Sequence, residues 1–503
     1  MGVLNIDEHF FKRAAVVFFI SLFVVGCFVF SDYGISCDER DFSRLNGEVN
    51  YNFIKTGDSK ELLACDEKYH GPAFEIFLFS AEKLFNLSDT RSIYLLRHGL
   101  NFLVFFIATI FFYLLGLKFF KTHSVALLCS AMLVLSPRIF AESFYNSKDI
   151  IMLCFCVIAS YTAFLFVERQ TLWYAFIHAL LCGFVVDIRV MGAILPVITL
   201  YLFAMQKQKK IIPLLMFVVY TVFFTVIFWP VLWLNPIHHF MEALRQMSHF
   251  PTPGVVFYQG EFISGGKPWH YIPVWISITT PFVYIILFLV GLFFAVKSIF
   301  RDFSGTLPIQ FFMFMFATPI LAVVILNSTI YDSYRHIFFV YPFLLLIAVY
   351  GFTELIKVVK QKLAVTVISY SIIVSMLVIS IFMIMNHPFQ NVYFSFLVGK
   401  DARQKFELDY WGLSYKQALE YILATDKSGS INIAADLEEC HLNFSIIPVE
   451  ERKRLVWTYE PQSADYFLTN FRYHPADYNY GTPVFYIEVK KERIMEVQKV
   501  NKF

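Results

Sequence analysis

Along this chain, apolar residues gather into long runs separated by short polar connections. A run of about 18 or more apolar residues can cross a hydrocarbon layer roughly 30 Å thick as a helix. Eleven such spans are predicted, at 14–31, 93–117, 123–137, 150–167, 172–186, 191–206, 211–234, 273–296, 307–327, 337–356 and 363–385. The third is the shortest. The stretch FEIFLFSAEKLFN, residues 74–86, sets its apolar side chains on one helical face, so it is expected to lie along an interface rather than cross it. The first run follows Lys12-Arg13, as a signal peptide would, but it ends in bulky Phe28-Val29-Phe30 with no small-residue cleavage pattern. It is read as an uncleaved first helix. The fold class is an α-helical polytopic membrane protein. A membrane β-barrel is excluded, because its strands alternate apolar and polar residues over only about ten positions.

Lysine and arginine orient the spans, since the connections rich in them stay on the cytoplasmic side. One set of connections carries Lys12-Arg13, Lys118, Lys121, Arg169, Lys207, Lys209, Lys210, Lys297, Arg301, Lys357, Lys360 and Lys362. The opposite set, 32–92, 138–149, 187–190, 235–272 and 328–336, is longer and mixed in charge, and is expected outside. Beyond about residue 386 the pattern changes and charged residues return. ELDYWGLSYKQALEYILATDK reads as a helix and INIAA as a strand. ADYFLTNF reads as another strand, and PVFYIEVKKERIMEVQKV as a hairpin turning near Lys491-Glu492. The chain therefore divides into a transmembrane domain, 1–389, with outer loops 32–92 and 235–272, and a small α/β domain, 390–503, on the outer face.

Composition sharpens the picture. The 503 residues are 58% hydrophobic and 19% aromatic, with 60 phenylalanines, against roughly 45–50% apolar in a soluble domain. The net charge of +2 comes with no basic arm, which argues against a nucleic-acid partner. Cys154 and Cys156 sit in an apolar run and read as small hydrophobes. Cys37 and Cys65 share one polar loop, so either they pair as a disulfide on the outside or they stay free. His238, His239, His249 and His270 lack an H-x-x-x-H spacing, and no metal site is assigned. Sequons at Asn86, Asn327 and Asn443 are no more than chance supplies.

Ionisable groups near a bilayer are costly and mark function, and here they concentrate in the outer set. The first loop has Asp38, Glu39, Arg40 and, further on, His70; the second has Arg138, Glu142, Lys148 and Asp149. Asp187 and Arg189 lie between two spans with almost no loop to spare, and are either an internal ion pair or part of a site. The fourth loop carries Lys267, Trp269 and His270, and the fifth Asp332, Arg335 and His336. Any single one of these is more often solvated than catalytic; the weight lies in their gathering at one face.

Several segments together resemble a known group. Asp38-Glu39 follow the first span, and His70-Gly71-Pro72 precede the interfacial helix. SPRIFAESFYNSKDI, PWHYIPVWISITTP and YDSYRHIFFVYPFLLLIAVYG come later, at 136–150, 268–281 and 331–351. The pattern resembles the GT-C superfamily of membrane glycosyltransferases, and within it glycosyltransferase family 39, with protein O-mannosyltransferases and the lipid A aminoarabinose transferase as relatives, in a bacterial branch. The resemblance covers about residues 10–385. It implies an inverting transferase that moves a sugar from a polyprenyl-phosphate donor to a lipid, glycan or protein acceptor. It also implies a bacterial inner membrane, with the site facing the periplasm or exterior. A phosphate leaves readily without a general acid, so one carboxylate suffices, as base on the incoming hydroxyl, where glycoside hydrolysis needs two. By resemblance and position that base is Asp38, with Glu39 in reserve. Cations should receive the departing phosphate; the candidates are Arg189, Arg335 and Arg138, then Lys267, His270 and His336. His70, Glu142, Asp149 and Trp269 are candidates for substrate contact. Some relatives use a divalent metal and others do not, so no cofactor is fixed. A transporter or flippase of lipid-linked sugars is the alternative outside the enzymes, although no internal repeat is found. An O-antigen-ligase-like transferase is the other, kept open by the long fourth loop.

Overall fold

The computed structural model describes residues 8–248, 254–359 and 361–501, so the readings that involve His249 and Lys360 lie outside the described residues. Within them, eight helices are long and apolar enough to cross a membrane, nine if one bent pair is counted as a span. In chain order the helices used below are α1 (Glu8–Val29), α2 (Leu45–Thr56), α3 (Ala73–Leu84), α4 (Thr90–Phe120), α5 (His123–Val134), α6 (Pro137–Tyr145), α7 (Asp149–Arg169), α8 (Leu172–Ile188), α9 (Ile194–Ala204), α10 (Ile211–Phe228), α11 (Pro236–Ser248), α12 (Tyr271–Thr279), α13 (Phe282–Arg301), α14 (Leu307–Ile325), α15 (Tyr341–Val358), α16 (Lys362–Met385) and α17 (Tyr415–Thr425).

Each predicted span has a helix, but three depart from the expected form, and proline is the common cause. A proline forces the residue before it out of the helical region and brings no N–H of its own. Ser136 before Pro137 is extended, so the expected span 123–137 becomes α5 and α6, bent by 66°. Trp229 before Pro230 ends α10 short of residue 234, and Thr280 before Pro281 separates α12 from α13 inside the expected 273–296. Two further helices of the set, α8 and a segment ending in α9, are apolar but shorter than eighteen residues.

The outer connections are more structured than loops. Residues 138–149, expected as a loop, form the fully buried α6 and the start of α7. The long connection 235–272 holds α11 and a hairpin of β1 (Val256–Tyr258) with β2 (Glu261–Ile263). The amphipathic stretch forms α3, whose buried face presents Phe74, Glu75, Leu78, Phe79 and Glu82.

At the opposite end the basic connections converge. Glu8 accepts from His123 N at 2.6 Å, Lys118 Nζ donates to Glu168 at 2.6 Å, and Lys210 N donates to Gln170 Oε1 at 2.8 Å. The tail is a five-stranded sheet packed on α17. Its order is β4 (Leu455–Trp457), β3 (Ile431–Ala435), β5 (Tyr466–Thr469), β7 (Glu492–Val500), β6 (Gly481–Val489). β3 runs parallel to β4 and β5, while β7 is antiparallel to β5 and β6. Lys490 and Lys491, both at positive φ, make the tight turn between β6 and β7. The predicted helix 407–427 begins only at Tyr415; the residues before it run into the bundle and are buried there.

Candidate active site

The loop that carries the acidic pair is fixed from the tail. Ile35 N donates to Asn443 Oδ1 at 2.9 Å, and Asn443 Nδ2 donates back to Ile35 O at 3.1 Å. Cys37 N donates to Trp411 O at 3.2 Å. Beyond Asp38 the chain makes a wide helical turn, Glu39–Arg44, in which Ser43 N reaches back five residues to Asp38 O at 2.9 Å. The turn sends the two carboxylates opposite ways. Asp38 borders a cavity of about 600 Å³, with its side chain 24% exposed. Glu39 is buried, accepts from Ser36 N at 2.7 Å, and meets His98 Nε2 at 3.1 Å.

One wall of the cavity is a guanidinium pair. Arg335 Nη1 donates to Asp38 Oδ2 at 3.1 Å and to Asp149 Oδ2 at 3.2 Å. Its Nε and Nη2 donate to Asp332 Oδ2 at 3.2 and 3.1 Å. Arg189 Nε donates to Asp149 Oδ1 at 2.9 Å, and its Nη2 reaches the same oxygen. Asp149 thus spaces two arginines from inside, while both still border the cavity, as does His336. The other wall holds Lys148, whose Nζ donates to Glu67 at 3.0 Å, and His70, whose Nδ1 lies 3.0 Å from the same oxygen. Burial pushes the Glu67 carboxyl up, but the Lys148 ammonium and His70 overcome it and hold the group well below the usual carboxylate range.

His70 is placed by its neighbour. A Cβ on Gly71 would stand 1.5 Å from Asp187 O, so only glycine lets the chain lie against the C-terminal end of α8. There Asp187 Oδ2 accepts from Ala73 N at 3.0 Å and holds the first turn of α3.

Of the sequence candidates, Asp38, Arg189, Arg335, His336 and His70 border the one cavity, with Asp149 behind the arginines. The others are displaced. Glu39 faces inward, as described. Arg138 is buried in α6, donates to Tyr393 O at 3.3 Å and lies over the rings of Phe394 and Trp275, at 4.8 and 5.4 Å. Glu142, on the same helix, accepts from Tyr410 at 2.9 Å and Asn146 at 2.8 Å. Because α6 is a buried helix and not an open loop, neither side chain reaches the cavity. Lys267 donates to Gly254 O and Ile263 O, at 2.9 and 3.1 Å, and closes the base of the β1–β2 hairpin. His270 meets the Tyr258 hydroxyl at 2.8 Å, and Trp269 is 71% exposed; neither borders the cavity. Asp187 does not pair with Arg189, which turns instead to Asp149. Cys37 and Cys65 are free thiols: Cys37 faces Asp38 at 3.7 Å, and Cys65 is buried in a cluster with Val49, Phe53 and Leu62. The buried Asn443 amide, spent on backbone bonds, is no glycan acceptor.

Sequence reasoning passed over Glu67, Lys68, Tyr331 and Gln246, which also border the cavity. It noted Lys148 but gave it no role. Among the described residues, no three or more His, Cys, Asp or Glu side chains gather as a metal would require. The cavity wall offers the Asp38 carboxylate and the cationic side chains Lys68, Lys148, Arg189 and Arg335, with the carboxyls of Asp66 and Glu67 also on it. It can hold an anion and take up a proton beside it.

Residues 70–233 match the dolichyl-phosphate-mannose-protein mannosyltransferase family. No curated protein matches the sequence. Among solved structures, the chain is similar to ArnT from Cupriavidus metallidurans bound to undecaprenyl phosphate, with 13% identity, a TM-score of 0.50, and 96% of this chain and 98% of that one covered. It is also similar to the Archaeoglobus fulgidus oligosaccharyltransferase in the apo form, with 10% identity and a TM-score of 0.50, covering 89% of this chain and 65% of that one. The chain therefore has the fold of these two solved structures, and within it residues 70–233 carry the match to the mannosyltransferase family.

Proposed function

We propose that this chain transfers a sugar from a polyprenyl-phosphate carrier to an acceptor hydroxyl, with inversion at the anomeric carbon, in the cavity beside Asp38. The acceptor oxygen forms its bond to the anomeric carbon and gives its proton to the Asp38 carboxylate. The bond from that carbon to the phosphate oxygen breaks, and its electron pair leaves on the carrier phosphate. Arg335 and Arg189 receive this charge on one wall and Lys148 on the other, where partial exclusion of water strengthens the attraction. Arg335 Nη1 bonds both Asp38 and Asp149, so an arriving phosphate competes with Asp38 for the guanidinium and frees the carboxylate for the hydroxyl. The acceptor is a lipid, a glycan or a protein, and the site faces the outside of a bacterial inner membrane.

The observation that supports this reading is one cavity bordered by the partly exposed Asp38 carboxylate together with Arg189, Arg335, Lys68 and Lys148. The match to a family described by a lipid-phosphate sugar and the solved ArnT complex with undecaprenyl phosphate support it. The test is Asp38→Asn in full-length protein. Transfer from a radiolabelled polyprenyl-phosphate sugar to envelope material should fall by about 10²- to 10⁴-fold, while binding of undecaprenyl phosphate stays within about threefold. Undiminished transfer would remove Asp38 as the base.

A further inference from the structure

The cavity is walled by the membrane domain, yet the side chains that brace it from behind come from the tail. Asp332 is the joint. It is buried, at positive φ, and followed by Ser333, also at positive φ, in a backbone shape that non-glycine residues adopt rarely. Its Oδ2 accepts from Nε and Nη2 of Arg335. Its Oδ1 accepts from Nη2 of Arg472 at 2.6 Å. Arg472 follows β5 of the tail, is buried, and is anchored on its own side by Glu439 at 3.5 Å. A second tail residue, Trp411, lies beside the Arg335 guanidinium, with 4.7 Å between carbon and ring centroid.

This geometry fixes which edge of the Arg335 fork is available. Asp332 occupies Nε and Nη2, so Nη1 is the nitrogen turned to Asp38 and Asp149. A carboxylate held on one oxygen only can turn about its last bond, and a buried one left with half its partners is costly. Arg472 bonds the other oxygen of Asp332 and stops that rotation.

Resting on the reading of the cavity as a carrier-phosphate site, we propose that Arg472 is a positioning residue of that site, acting through Asp332 to hold Arg335 with Nη1 toward the phosphate. The C-terminal domain is then a working part of the site. The same domain also holds the approach to Asp38, through Asn443 on Ile35 and the Trp411 carbonyl on Cys37.

The experiment measures the dissociation constant of undecaprenyl phosphate with the full-length protein in detergent micelles, alongside its melting temperature. Arg472→Gln should weaken binding by about five- to twentyfold, and Arg472→Lys, which keeps a charge on Asp332, should recover most of it. In an Arg335→Gln background the same Arg472→Gln change should cost less than about twofold, because the residue through which it acts is gone. A merely structural Arg472 would lower the melting temperature and weaken binding equally in both backgrounds, and that result overturns the proposal. So does unchanged binding in Arg472→Gln. Where Arg472→Gln does not fold, Arg472→Met, similar in length but unable to bond Asp332, is compared alone and with Arg335→Gln, multiplicative losses again counting against the proposal. Unchanged binding in Arg335→Gln alone strikes the phosphate reading itself, a different failure read from a different arm.

Discussion

At the scale of single residues, the neighbouring carboxylates of the first loop have separate tasks. Asp38 borders the cavity, whereas Glu39 is tied to a backbone amide and to His98. Replacing Glu39 with glutamine should therefore cost stability before chemistry. The expected loss is about 1–3 kcal/mol, read as a lower melting temperature, with transfer per folded molecule within about threefold of the parent. A loss of transfer as deep as that of Asp38→Asn, at unchanged melting temperature, would return Glu39 to the site. Glu407 gives a second residue-scale prediction. Burial, with Asp332 nearby, pushes its carboxyl up to about 8, while an unfolded glutamate titrates near 4.3. Between those values the folded chain holds the extra proton, so the contribution to stability is complete below the lower value and disappears as pH rises through the higher. Asp436, raised by burial to about 6, acts in the same sense but only over the acidic part of that window. Glu407 should thus contribute to a decline in melting temperature from pH 6 to 8.5, and Glu407→Gln should lessen that decline. A decline of unchanged slope would refute it. Much of the candidate site was legible in the sequence, because Asp38, Arg189 and Arg335 lie next to apolar spans at one face and His70 opens the corner before the interfacial helix. The inward turn of Glu39 and the burial of Arg138 were not, since both depend on helical turns whose facing the one-dimensional pattern leaves open.

At the scale of elements, proline sets the shape of the polar end. Helices α5, α10 and α12 stop before Pro137, Pro230 and Pro281, and after the first break the chain folds inward as the buried α6. Hydropathy alone reads through such breaks, because the residues on both sides are apolar. That is why the spans were found and their upper ends were not. The tail strands were legible for the opposite reason, since β6 and β7 are long and bounded by a lysine turn. The short β4 and the parallel pairing of β3 and β5 left no such trace. The His70-Gly71-Pro72 corner yields the prediction at this scale. A Cβ at Gly71 would collide with the Asp187 carbonyl, backbone that cannot yield cheaply. Gly71→Ala should push α3 off the end of α8 and cost roughly 1–3 kcal/mol, seen as a drop in melting temperature. His70 and Glu67 move with that corner, so undecaprenyl phosphate binding should weaken too. A variant that melts and binds as the parent does would show that the corner tolerates a side chain.

At the scale of the molecule, charge and chemistry sit at opposite ends. Glu8, Lys118, Glu168, Gln170 and Lys210 meet at one end of the bundle; the cavity and the tail domain meet at the other, joined through Asn443, Trp411 and Arg472. By the bias of lysine and arginine toward cytoplasmic connections, the end rich in them is expected on the cytoplasmic side. The tail must share the side of the cavity, because it supplies bonds to the loop of Asp38 and to Asp332. The two ends are therefore one prediction. Alkaline phosphatase, active only outside the cytoplasm, should be active when fused after residue 501, and inactive when inserted between Lys207 and Lys210. The reverse pattern would place the cavity in the cytoplasm, where a carrier-linked sugar presented on the outer leaflet cannot reach Asp38. Activity at both positions would contradict the helix order itself, since α10 to α16 must carry the chain from the basic end to the end where the tail docks.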